Sequence, residues 1–149
     1  MTTTQAEAAL PTSSKVLCVV YGVIAVAALI ATWSQGLQYL HGLSGQLDFW
    51  VDTRVNAASR LITVDIVYFS LAAAIWMVID ARKHGVRFVW VYVLAGVSIA
   101  ISAAFPLYLI ARELRVGRTE TTRLGAVDTC LLAGFAVAVV ALTTWVAMG

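Results

Sequence analysis

Asp65 stands in the run TVDIVYFSLAAAIWMVIDARKHG (Thr63–Gly85), with apolar residues on both sides. An acid in such a place has three uses: it pairs with a cation from another helix, it carries a proton, or it meets a ligand. Arg112 and Arg60 are the cations best placed to pair with it. Five more residues with suitable chemistry cluster by sequence: Ser102, Tyr108, Arg112 and Glu113 around the end of a third apolar run, and Asp128 near the start of a fourth. Trp76 joins them through helical spacing, because Asp65, Phe69, Ala72, Trp76 and Asp80 recur at three- and four-residue steps. Asp65, Ser102, Arg112, Glu113, Asp128, Trp76 and Tyr108 are therefore the candidate ligand-binding set. A few convergent polar groups between apolar walls such as Phe69, Phe105 and Leu107 suit an amphipathic or lipid-like molecule. If Asp65 faces Asp128 or Glu113, burial and like charge would hold one acid protonated, and acid–base isomerisation or cyclisation of a hydrophobic substrate becomes conceivable.

Each member of the set also has a plainer use. Asp65 can be a structural ion-pair partner, Asp128 a first-turn carboxylate favoured by the helix dipole, and Arg112–Glu113 an interfacial charge pair. Asp80, beside Arg82 and Lys83, reads as an anchor at the opposite membrane face. His41 and His84 read as loop histidines. No His/Cys/carboxylate spacing suggests a metal, and no phosphate loop, GxSxG, HExxH or CxxC occurs. No cofactor is expected. Cys18 and Cys130 fall inside apolar runs and read as small packing residues.

The elements that must position these residues follow from composition. The chain has 149 residues, 61% hydrophobic and 12% charged. Soluble domains carry about 25% charged residues, so this chain lacks the polar surface to cover a soluble globule. Val16–Tyr39 and Leu131–Gly149 contain no charge at all. An integral membrane protein is implied. The net charge of +2 is explained by basic residues at helix ends, and no nucleic-acid surface is suggested.

Four runs meet the length of about 20 apolar residues that a spanning helix needs. They lie at about 16–39, 61–79, 88–111 and 124–148, after a polar tail over 1–14. The fold class expected is all-α, an integral membrane four-helix antiparallel bundle forming a single domain over 15–149. Gly85 belongs to a tight turn, ARKHGVR (Ala81–Arg87), that pairs the second and third runs. The first connection, His41–Arg60, mixes Leu47, Phe49, Trp50 and Val51 with Asp48, Asp52 and Arg54, which suits a segment lying in the interface. Trp33, Trp50, Trp90 and Trp145 read as belt anchors. With four alternating crossings, Asp65, Arg112 and Asp128 share one membrane face, and Pro106 kinks the third run near Ser102. Counted this way, four Lys/Arg face one side and six the other, a weak orientation signal.

The pattern N-x8-D from Asn56 to Asp65, followed by IWMVIDARKHGVRFVWVYV and ISAAFPLYLIARE, resembles a family of small bacterial integral membrane proteins described only as a domain of unknown function. The resemblance covers about residues 42–113 and places Asp65, Asp80, Arg82, Trp90, Ser102, Pro106, Leu107, Arg112 and Glu113 on the family's pattern, with Asp80 where glutamate is more usual. It implies a bacterial inner membrane and supplies no reaction.

Three functions compete at this point. The first is a bundle with a one-sided polar pocket for a lipid-like or isoprenoid-like molecule. The second is an accessory or assembly subunit of a membrane complex, and the third a small proton-coupled transporter. Membrane lipid, a hydrophobic small molecule, and a homodimer or membrane partner protein are the partners these readings imply.

Overall fold

The computed structural model describes residues 10–117 and 125–148, and all secondary structure within them is helical. The order is α1 (Thr12–Gly36), a short 3-10 turn (Leu37–Tyr39), α2 (Leu43–Asp52), α3 (Ala57–His84), α4 (Val89–Ala95), a π turn (Gly96–Ala100), α5 (Ile101–Val116) and α6 (Ala126–Met148). Four segments are long and apolar enough to cross a membrane: Thr12–Tyr39, Ala57–His84, Val89–Val116 and Ala126–Met148. The protein is an all-α, multi-pass membrane protein built on four apolar helical segments. Arg118, Arg123 and Leu124, and most of the polar tail, lie outside the described residues.

Local signals set the ends of α3. The Asn56 Oδ1 accepts the Ser59 backbone N–H at 2.8 Å, which supplies one of the donors a helix start leaves open. At the other end Gly85 takes the left-handed conformation (φ 69°) and the Val86 N–H reaches back to the Ala81 carbonyl at 3.1 Å. Arg82, Lys83 and His84 sit in the last turn, where cations complement the helix dipole. The chain then turns through Phe88, whose φ of 61° is the one positive value at a non-glycine among the described residues.

The third apolar segment does not run straight. Ala100, the last residue of the π turn and the one before α5, is extended (φ −172°, ψ 126°), and the chain doubles back there. Five contacts demonstrate the reversal. Tyr92 of α4 meets Tyr108 of α5 with ring centroids 5.7 Å apart. Trp76 of α3 touches Phe105 and Tyr108, and Asp80 of α3 bonds Tyr108 and Arg112, so α3 and α5 run in the same direction. Gly96 makes the close approach at the tip, since a Cβ there would lie 2.8 Å from Ile101 Cδ1. Pro106, expected to bend this segment, sits buried within α5 instead.

The core follows from that hairpin. Ala73, Met77 and Ala81 of α3 pack with Val86, Val89, Ile101 and Tyr108. Helix α1 lies antiparallel to α5: the Ser14 hydroxyl donates to the Gly117 carbonyl at 3.2 Å, and Gly22 faces Ile110. The hairpin's inward limb is about 18 Å long against about 42 Å for α3. It therefore covers only the second half of α3, and every buried residue of α3 falls there. Helix α6 has no buried residue. Hydroxyls on these uncovered surfaces bond within their own helices, Ser70 to Ile66 and Thr143 to Val139, which lets them face lipid at little cost.

The first connection is folded on itself. The Tyr39 hydroxyl donates to Asp52 Oδ2 at 2.7 Å, and Tyr39, Phe49 and Trp50 form successive edge contacts. Gly45 is buried against the Tyr39 carbonyl, which leaves no room for a side chain.

Candidate functional site

The polar centre of the molecule is Asp80. It is 7% exposed and is one of two buried polar or charged residues among those described; Ser14 is the other. Its two carboxylate oxygens accept from three side chains. The Tyr108 hydroxyl donates to Oδ2 at 2.7 Å, and Arg112 Nε–H is shared between Oδ1 and Oδ2 at 3.1 and 3.0 Å. His84 Nδ1 lies 2.9 Å from Oδ1 and 3.0 Å from the Asp80 carbonyl oxygen. Both neighbours of Nδ1 are acceptors, so Nδ1 is the donating ring nitrogen. Tyr108 is fully buried and braced by Trp76 and Tyr92, with ring centroids at 6.0 and 5.7 Å.

This geometry divides the labour. Asp80 is saturated with donors and holds the others in place, so it has little left to offer as a base or nucleophile. Tyr108 is sealed from solvent. Arg112 commits only Nε, and its two terminal nitrogens have no partner among the described residues. A guanidinium fixed at Nε presents the remaining edge of its fork to an acceptor, a geometry matched to carboxylate or phosphate. Arg112 and His84 side chains are each 25% exposed, so both are reachable.

The sequence-derived set is split by this arrangement. Arg112, Tyr108 and Trp76 come together around Asp80. Asp65 does not join them: it is exposed on the uncovered half of α3, in a shallow, open depression lined by Arg60, Leu61, Val64, Asp65 and Tyr68. Among the described residues it has no hydrogen-bond or ion-pair partner, contrary to the expectation of a partner from the third or fourth segment. The reversal at Ala100 is the cause, because it carries Arg112 to the end of α3 rather than to its start. Asp80 is accordingly an organising residue and more than an interfacial anchor. Ser102 is exposed near the hairpin tip, and Asp128 is exposed in the first turn of α6. Glu113 makes no ion pair with Arg112 among the described residues; its Oε1 lies beside Gly117, on the side where Ser14 of α1 also approaches. His84, read as a loop histidine, belongs to the centre, and its i,i+4 spacing from Asp80 was the signal for it. No group of His, Cys, Asp and Glu among the described residues is arranged to hold a metal.

Comparison with known families places the same part of the chain in a recognised group. Residues 20–114 match the model of the family described as "Protein of unknown function DUF2834". The chain belongs to that family. The match begins within α1 and ends two residues beyond Arg112, so the DUF2834 unit contains Asp80, Tyr108, Arg112, His84 and all of the hairpin but the last two residues of α5. Helix α6, which buries nothing, lies outside it. Searches of curated proteins and of solved structures return no match.

Proposed function

We propose that the protein binds an amphipathic, lipid-like molecule with an anionic headgroup, held by Arg112 at the Asp80 end of the helices. The observation that carries this reading is the half-used guanidinium: Nε is fixed on Asp80 while the terminal nitrogens have no described partner. Asp80 and Tyr108 orient Arg112, and His84 Nε2 offers a second polar contact beside it. Trp76, 42% exposed, and Leu107, 48% exposed, supply apolar surface for a chain below the headgroup. The reading keeps the ligand class suggested by the sequence but moves the site from Asp65 to Asp80. It places the working membrane in bacteria, as the family resemblance implies.

The test is extraction of lipid from the purified protein, with identification by mass spectrometry. Wild type should carry an enriched anionic amphiphile, and Arg112→Gln should lose it while remaining folded. Equal lipid profiles for the two proteins, both matching the bulk membrane, would refute the proposal.

A second reading is that of an accessory subunit. It is favoured by α6 and the first half of α3, long apolar stretches in which no residue is buried by the described part of the chain. Capture of a defined membrane complex that is lost on removal of α6 would support it over ligand binding.

A further inference from the structure

The reversal at Ala100 redistributes the charges of the chain, and this has a consequence independent of what Arg112 binds. Lys15 stands next to Ser14, which bonds Gly117 at the end of α5. Arg112 and Arg115 occupy the last turns of α5, and Arg82, Lys83 and Arg87 flank the Gly85 turn. Because α3 and α5 run together to this end, all six cations gather at one end of the molecule. Lys15, Arg82, Lys83, Arg87 and Arg115 are exposed, and Arg112 is partly so. The other end, some 42 Å away along α3, has Arg54 and Arg60 beside Asp48, Asp52 and Asp65. Four alternating crossings would divide the cations almost evenly. The folded chain divides the described ones six to two.

We infer that the Asp80 end is the cytoplasmic end, and that its exposed cations form a collar fitted to the anionic headgroups of the inner leaflet. Short segments rich in Lys and Arg are retained on the cytoplasmic side, and the anionic surface there attracts each such cation. The third apolar segment then enters and leaves on that side, while α1 and α3 cross.

Single cysteines test this in a Cys18→Ala, Cys130→Ala background with a membrane-impermeant maleimide. Arg87→Cys and Arg115→Cys should both resist labelling in intact cells and react in inverted vesicles, and Asp52→Cys should do the reverse. Labelling of Arg87→Cys and Arg115→Cys from opposite sides, or of both from outside, overturns the inference. The collar itself is read in nanodiscs of mixed phosphatidylcholine and phosphatidylglycerol. Wild type should retain phosphatidylglycerol preferentially on gentle release. Joint replacement of Lys15, Arg82, Lys83 and Arg87 by Gln should abolish that preference, whereas Arg112→Gln should leave most of it. Those four side chains are exposed, so the variant folds; an unchanged preference in it would overturn the collar.

Discussion

The ring of Tyr92 meets the ring of Tyr108, sixteen positions later, at a centroid distance of 5.7 Å and an interplanar angle of 78°. On one straight helix those residues would stand about 24 Å apart. This contact closes the α4–α5 hairpin, and the hairpin brings Arg112 to Asp80. Spin labels at the exposed positions Val91 and Leu107 should accordingly report a separation well under that of a straight helix, with pulsed distance measurement as the check. A distance near the straight-helix value would mean that the segment crosses without turning.

Asp80→Ala should destabilise the folded protein by about 2 kcal/mol or more, because it leaves the buried Tyr108 hydroxyl and the Arg112 guanidinium without their acceptor. The partial exposure of Arg112 keeps the loss below that of a fully buried pair. Asp65→Asn should change stability by less than about 0.5 kcal/mol, as expected for an exposed position without partners. Reversible unfolding in mixed micelles would rank the two variants. Equal losses would contradict the assignment of Asp80 as the organising acid.

Much of this fold is legible in the chain. The four apolar segments are set by hydropathy and length, Gly85 ends α3 in the left-handed conformation expected of it, and the mixed first connection holds a short helix tied back by Tyr39 and Asp52. The family resemblance is likewise visible, and the match reaches further into α1 than residues 42–113 suggest. The reversal was hidden for a physical reason. It occurs at Ala100 by a backbone change that any residue can adopt, amid LAGVSIAISAA, where hydropathy is unbroken. Pro106, the conspicuous helix breaker, sits six residues past the break and is absorbed into α5. Without the reversal, Arg112 is placed level with Asp65, at the opposite end of α3 from the Asp80 it contacts.

Tyr108→Phe isolates the hydroxyl from the ring. The aromatic contacts with Trp76 and Tyr92 persist, while Asp80 loses one of its three donors. A cost of about 1 kcal/mol is expected, with Arg112 still held. Bound-lipid content should fall less than in Arg112→Gln. If Tyr108→Phe instead empties the protein of lipid while Arg112→Gln does not, the hydroxyl and not the guanidinium is the ligand contact.

Gly117→Ala should loosen α1 from α5. A Cβ at this position would lie 2.6 Å from Ser14 Oγ and 2.7 Å from the Glu113 carbonyl oxygen, and the backbone atom cannot easily move away. The expected loss is about 1–3 kcal/mol. Faster proteolysis at the start of α1 would register it. Unchanged proteolysis would show that the Ser14–Gly117 contact does not hold α1.

The pairing of Arg112 with Asp80 rather than Asp65 is the central claim, and a short thiol-to-thiol crosslinker tests it directly in the membrane. The chain would carry Cys18→Ala and Cys130→Ala together with Arg112→Cys and either Asp80→Cys or Asp65→Cys. Rapid intramolecular linkage with Asp80→Cys, and none with Asp65→Cys, is the predicted result. Linkage with Asp65→Cys and none with Asp80→Cys would contradict the hairpin, the site and the function built on it.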